Sequence, residues 1–263
     1  MRRAYRLFRS MRPPRTFVVG DIHGDLVSLD TLLGRLPSLE RTDTLVFLGD
    51  YVDRGPRSRE VIERVRSLDR HVPAKIVTLR GNHEDLWIEC FAEPNPGFLL
   101  PQGNGCGATF RSFTGGTPID AEHGLDPSEY ARYFEVKSWL PEEIVGWMKS
   151  LPVWYEDEHA IYVHAALDGE GAEWLHPSTG REKPVMWGRE PDFFTNYRGK
   201  TVVFGHTPTA DLPLDHIGPV GKMFDDPGDV WLRGDLVGID TGCGKGGFLS
   251  AIELPAGRVY ESR

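Results

Sequence analysis

The chain of 263 residues is 40% hydrophobic and 26% charged, an ordinary globular composition long enough to bury a sizeable core in one large domain or two small ones. Thirty Lys and Arg against 39 Asp and Glu leave a formal charge of −9, which disfavours sequence-independent nucleic-acid binding because an acidic surface repels the phosphate backbone. No apolar run reaches the roughly 18 residues of a membrane span, the N-terminus lacks an apolar signal-peptide core, and three widely spaced cysteines, Cys90, Cys106 and Cys243, argue against a disulfide framework, so a reducing cytoplasm and no membrane partner are expected.

Residues 1–15 carry six arginines and no acid and are expected to form a basic flexible tail, a solvated leader rather than a transit peptide. From Thr16, short β-branched runs alternate with amphipathic stretches, which predicts strand–helix units in an α/β fold filling residues 16–263. Phe17–Val19 reads as a strand, followed by Leu26, Leu29, Leu32, Leu33 and Leu36 at helical spacing. Thr44–Leu48 and Lys75–Leu79 are further strands, each followed by a helix, Arg57–Leu68 and His83–Cys90. Residues 91–150 break the rhythm: a Pro- and Gly-rich stretch, Glu93–Gly116, leads into helices near Pro127–Phe134 and Pro141–Ser150, and this segment reads as an inserted cap. Strands resume at Ala160–Val163, Thr201–Phe204 and Leu236–Ile239, and Gly247–Glu253 returning as Arg258–Glu261 predicts a closing hairpin.

Metal-binding residue types follow these strands, at the carboxyl ends where open α/β sheets place their ligands. They are Asp21 and His23 in GDIHG, Asp50 and Asp53 in GDYVDRG, Asn82 and His83 in RGNHE, His164, and His206 in GHTP. A lone Asp-x-His is most often a turn, and a lone strand-end His a satisfied core residue. Five such endings in order, each beside glycine or small residues, make coincidence a poor explanation. Carboxylate, imidazole and amide donors without thiolate suit Mn²⁺, Fe or Zn²⁺.

Together GDIHG, GDYVDRG, RGNHE, VHA and GHTP resemble the motifs of the calcineurin-like metallophosphoesterases, in particular the phosphoprotein phosphatase branch with its bacterial and phage serine/threonine phosphatases, over roughly residues 16–255. The resemblance implies a four-layer α/β/β/α sandwich with an inserted helical cap and a site for two divalent metal ions, Mn²⁺ first and Fe or Zn²⁺ as alternatives. Asp21 and His23 would bind one metal, Asp50 would bridge both, and Asn82, His164 and His206 would hold the second. The two cations would turn a bridging water into the hydroxide that attacks phosphorus directly, without a phosphoenzyme. His83 would then act as general acid toward the departing alkoxide, oriented by Asp53, whose bland alternative is a salt bridge to Arg54 or Arg57. Arg54 is the first candidate for the phosphate oxygens, and Asn82 would also touch substrate. The family's second arginine is assigned to Arg189 in Met186–Glu190, with Arg80 as competitor.

The departures also carry information. Symmetrical dinucleoside tetraphosphatases usually have glutamine where His23 stands, and a wider set of metallophosphoesterases continues as Gly-His-x-His where this chain has Thr207-Pro208; both differences point to the protein-phosphatase type. The expected substrate is a phosphorylated protein or peptide carrying phosphoserine or phosphothreonine, with phosphotyrosine also admissible and no regulatory subunit evident. The alternative is a dinucleoside tetraphosphatase or other nucleotide phosphohydrolase. A metal-free binding protein is disfavoured because every proposed ligand is present. The glycine-rich Asp240–Gly247 lacks the P-loop lysine–serine pair and reads as a turn flanking the metal site, Cys243 has no assignable base, and Trp139, Trp147 and Trp154 read as cap packing.

Overall fold

Side-chain alternation in the first strands sets the layering. The computed structural model describes residues 13–119, 124–170, 173–213 and 228–263, so the first twelve residues of the basic leader lie outside the described residues. Arg15 is the first basic side chain the fold uses: it is buried, and its guanidinium donates to both carboxylate oxygens of Asp43, at 3.2 and 2.5 Å. In β1 (Thr16–Val19) and β2 (Thr44–Phe47), Phe17, Val19, Leu45 and Phe47 face one apolar cluster, while Val18 and Val46 face another together with Val77 of β3 (Lys75–Thr78). Successive strand residues point to opposite faces, so each strand serves two cores at once.

The outer cluster is covered by α1 (Leu26–Arg35), α2 (Ser58–Ser67) and α3 (Asn82–Ala92). Asp25 caps α1 by accepting from Ser28 N at 2.9 Å, and Leu29 and Leu32 form its buried face. Residues 91–150 contribute α4 (Pro96–Leu99), α5 (Cys106–Thr114), α6 (Tyr130–Phe134), α7 (Val136–Trp139) and α8 (Glu142–Ser150). Their buried side chains Phe98, Phe110, Tyr133, Trp139, Val145 and Met148 share the cluster of Phe17 and Phe47. Trp139 packs edge-on against Trp87 and Phe110, and Trp147 lies against Tyr51.

The second half supplies β4 (Trp154–Glu156), β5 (Ile161–Val163), β6 (Gly169–Glu170), β7 (Glu173–Trp174), α9 (Glu182–Trp187), α10 (Pro191–Asn196), β8 (Val202–Phe204), β9 (Trp231–Arg233) and β10 (Leu236–Gly238). It closes with the expected hairpin, β11 (Ser250–Leu254) antiparallel to β12 (Arg258–Glu261). Two five-stranded sheets result, ordered β12-β11-β1-β2-β3 and β4-β5-β8-β10-β9, with β1, β2 and β3 parallel in one and β5, β8 and β10 parallel in the other. Val18, Val46, Val77 and Ile252 of the first sheet meet Tyr162, Val203, Leu232 and Val237 of the second, and α9 and α10 cover the far face through Val185, Met186, Phe193 and Phe194. The architecture is therefore an α/β/β/α sandwich. Trp154 differs from its expected place: it lies on β4, beside the second sheet's outer cluster, with its ring 5.1 Å from that of His176.

No helix among the described residues is long and apolar enough to cross a membrane. Beyond β5, Asp168 ties down the following loop, accepting from Arg181 N and Nε at 2.9 Å and from Nη2 at 2.7 Å. Hydrogen bonding by Arg181 holds this carboxyl down at about 2. A depressed carboxyl contributes stability above its unfolded range, and that contribution is lost as the pH falls from about 4 toward 2. Urea denaturation of the metal-free protein should therefore show wild type and Asp168→Asn differing most at about pH 5 and converging only as the pH falls to about 2 and below. A gap independent of pH would contradict the assignment.

Candidate active site

Every parallel strand of both sheets delivers chemistry to one edge. Asp21 and His23 follow β1, Asp50 and Asp53 follow β2, Asn82 and His83 open α3 after β3, His164 follows β5, His206 follows β8 and Asp240 follows β10. All nine are buried. Among the described residues, the five non-glycine residues with left-handed backbone are His23, Asp50, Asp53, Arg54 and His206, so backbone strain is concentrated at this edge.

Asp50 is the hub. Its carboxylate belongs to two buried groups whose donor atoms lie within 4.8 Å of one another, one with His23 and His83, the other with His164 and His206. His164 Nδ1 donates to Leu48 O at 3.0 Å, so its Nε2 presents a lone pair, 3.5 Å from Asp50 Oδ1 and 2.9 Å from Asn82 Oδ1. His23 is arranged alike: Nδ1 donates to Val52 O at 3.0 Å, and Nε2 lies 3.4 Å from Asp50 Oδ2 and 3.9 Å from Asp21 Oδ2. Converging lone pairs of this kind fit a cation, and the Arg54 guanidinium, in contact with His23 Nε2, supplies a positive charge at that point.

The ionisation states fit as well. Burial would raise Asp50, but His164, His83, His23 and Arg54 outweigh it and hold the carboxyl well below its ordinary range. Burial pushes His23, His164 and His206 down, His206 to about 2. Asp21 goes up through burial and the charges of Asp240 and Asp50, a crowding of carboxylates that divalent cations would relieve.

Glu84 locks the loops around the hub. Its carboxylate accepts from Asp50 N and Tyr51 N at 2.8 Å and from Gly81 N at 3.0 Å, tying the end of β2 to the start of α3. Burial and the Asp50 charge push it up to about 8, while these N–H donors pull the other way. Gly81 has to be glycine, since a Cβ there would lie 2.2 Å from Asp50 Oδ1.

His83 Nδ1 donates to Asp53 Oδ2 at 2.6 Å. Trp87 Nε1 also donates to Asp53, at 2.9 and 3.0 Å, and Thr109 Oγ1 at 2.6 Å, so Asp53 is held by these groups and makes no salt bridge to Arg54 or Arg57 among the described residues. Residues 91–150 thus reach the site through Thr109 on α5. Thr109→Val keeps the shape but leaves a buried carboxylate short of a donor, which should cost about 1–3 kcal/mol in urea denaturation with metal content unchanged. A value near zero would mean that Thr109 does not help hold Asp53.

Arg54 and Arg189 approach the cluster from different loops. Arg54 Nη2 lies 3.3 Å from His83 Nε2, and Arg189 donates from Nε to His206 Nε2 and from Nη2 to His206 O, each at 3.0 Å. Arg80 points elsewhere, donating to the Lys149 and Leu151 carbonyls at 3.1 and 3.2 Å. Cys243 Sγ donates to Ile22 O at 3.3 Å, and burial pushes its thiol up, away from the thiolate a nucleophile needs. Sequence reasoning passed over Glu84, Thr109 and Asp240 as individual residues.

The family model for calcineurin-like phosphoesterases matches residues 14–210. Over 90% of its length the chain is 26% identical to an asymmetrical bis(5'-nucleosyl)-tetraphosphatase of Anoxybacillus flavithermus, of which it covers 89%. It is 46% identical to a serine/threonine-protein phosphatase of Candida albicans over 74 residues, 27% of this chain and 24% of that one. The crystal structure of a cold-active protein-tyrosine phosphatase of a Shewanella psychrophile superposes with a TM-score of 0.55 at 15% identity, covering 96% of this chain and 81% of that one, a likeness of fold.

Proposed function

The chain belongs to the calcineurin-like phosphoesterase family, and from that premise we propose a metal-dependent phosphoprotein phosphatase that hydrolyses phosphoserine and phosphothreonine monoesters, with phosphotyrosine as a further candidate. Asp21, His23 and Asp50 would hold one cation and Asp50, Asn82, His164 and His206 the other, Mn²⁺ first and Fe or Zn²⁺ as alternatives. Bound there, two divalent ions supply Lewis acidity and an activated water. Geometry alone also lets His83 join His23 and Asp50 around a cation. The bond to Asp53 favours a different role, because a carboxylate at 2.6 Å on Nδ1 fixes the ring and leaves Nε2 facing the cluster, the arrangement a general acid uses.

That His83–Asp53 pair carries the reading. Serine and threonine alkoxides are poor leaving groups that need a proton, whereas a nucleotide leaving from a polyphosphate departs as a stable anion and gains little from one. Arg54, Arg189 and Asn82 would position the phosphoryl oxygens. The residues on either side of Arg189 line a cleft of about 720 Å³ with Trp174, Lys183 and Trp187 on its walls, room for the chain flanking a phosphorylated residue. Three buried free cysteines suit a reducing, cytoplasmic setting.

The second reading, a dinucleoside tetraphosphatase, is favoured by relatives that match at nearly full length, including a symmetrical enzyme of Dechloromonas aromatica at 25% identity over 94% of this chain. Product analysis separates the two. Orthophosphate from phosphoserine peptides at a kcat/KM above that for dinucleoside tetraphosphate is expected. Nucleotide products with no peptide dephosphorylation would overturn the proposal.

A further inference from the structure

The glycine-rich turn after β10 presses against the floor of the site. Gly242, Gly244 and Gly246 have φ of 78°, 74° and 84°, a run of left-handed positions open to glycine and strained for other residues. A Cβ on Gly244 would lie 2.6 Å from His23 Cβ and 3.4 Å from Arg54 Cβ, so the turn's backbone lies directly on a proposed ligand and a proposed phosphate-binding residue. Lys245 N and Gly247 N both donate to Gly242 O, at 2.9 and 3.0 Å, closing the turn. Lys245, exposed to solvent, is the next residue after the glycine that lies against His23 and Arg54.

Partial burial and then the positive charges of Arg54 and Arg189 push the Lys245 ammonium down, against the pull of Asp240 and Asp21, and it makes no hydrogen bond or ion pair with any described residue. Two arginine forks can already serve the non-bridging oxygens of one phosphoryl group. A third cation on a flexible four-carbon stem, set beside two others at a Coulombic cost, suits an anion that extends past that group. We infer that Lys245 forms a second anion subsite at the rim, taking a carboxylate or phosphate that the substrate carries next to the scissile phosphoryl group. This rests on the phosphoesterase reading of the metal cluster and not on the choice between peptide and nucleotide.

The test measures kcat/KM ratios with the metal-loaded enzyme. Two phosphoserine peptides differing only by Asp or Asn beside the phosphoserine form one arm, and dinucleoside tetraphosphate against p-nitrophenyl phosphate forms the other. Wild type should prefer the Asp peptide by about fivefold, expressed in KM. Lys245→Met should bring that ratio close to one, and Lys245→Arg should keep it. If wild type cleaves neither peptide, the phosphoprotein reading fails, and the same loss of preference in the nucleotide arm still supports the subsite. Unchanged ratios in Lys245→Met, or an equal fall on every substrate, would overturn it.

Discussion

His83→Asn is expected to slow phosphoserine-peptide hydrolysis by roughly 10²–10⁴-fold while slowing p-nitrophenyl phosphate hydrolysis far less. With Nδ1 committed to Asp53 at 2.6 Å, the ring turns Nε2 toward the cluster, 3.9 Å from Asp50 Oδ2. A proton held there would be placed to reach the leaving oxygen of a substrate bound at the cluster. Serine alkoxide cannot depart without it, whereas p-nitrophenolate can. Asp53→Asn should show the same selectivity more weakly, since the imidazole remains but loses the carboxylate that orients it. Metal analysis accompanies the kinetics: loss of a metal in His83→Asn, or equal slowing of both substrates with chemistry rate-limiting, would make His83 a ligand or a ground-state contact.

Asp50→Asn is expected to lower bound metal from about two equivalents per chain to about none, and activity to that of the chelated enzyme. One carboxylate oxygen of Asp50 faces His164 at 3.5 Å and the other faces His23 at 3.4 Å, so this side chain serves both halves of the cluster. An amide has only one lone-pair oxygen to offer and no charge. Asp21 Oδ2 lies 3.9 Å from His23 Nε2 and the same carboxylate accepts from His206 N, without joining Asp50 in linking the imidazoles, and Asp21→Asn should weaken one cation and leave about one equivalent. Metal content by elemental analysis, with circular dichroism to confirm folding, decides the matter. Two equivalents retained in Asp50→Asn would exclude a bridging role.

The gathering of the candidate residues at one edge was legible because their positions coincide with local signals. Asp21, Asp50, Asn82 and His206 each stand beside a glycine just after a β-branched run, so the pattern that predicts a strand end also predicts where its ligand points. The residues that support them were not legible, because their partners are remote in sequence. Glu84 binds Asp50 across 34 positions and Thr109 binds Asp53 across 56, and neither pairing leaves a local trace. Helix α5 was hidden by composition: Gly105 and Gly115 bound it in left-handed conformations, and within the Gly-rich stretch the helical spacing of Cys106, Thr109, Phe110 and Phe113 passed as loop. Strands β4 and β9 are three residues each, with Glu156 and Arg233 among them, too short and too polar to stand out.

Stripping the protein of metal and titrating Mn²⁺ back, while following orthophosphate release from a phosphoserine peptide, tests the two-cation account most directly. Activity should stay low through the first equivalent and rise with the second. Full activity at one equivalent, or in the presence of excess chelator, would contradict a mechanism built on Asp50 joining two metal ions.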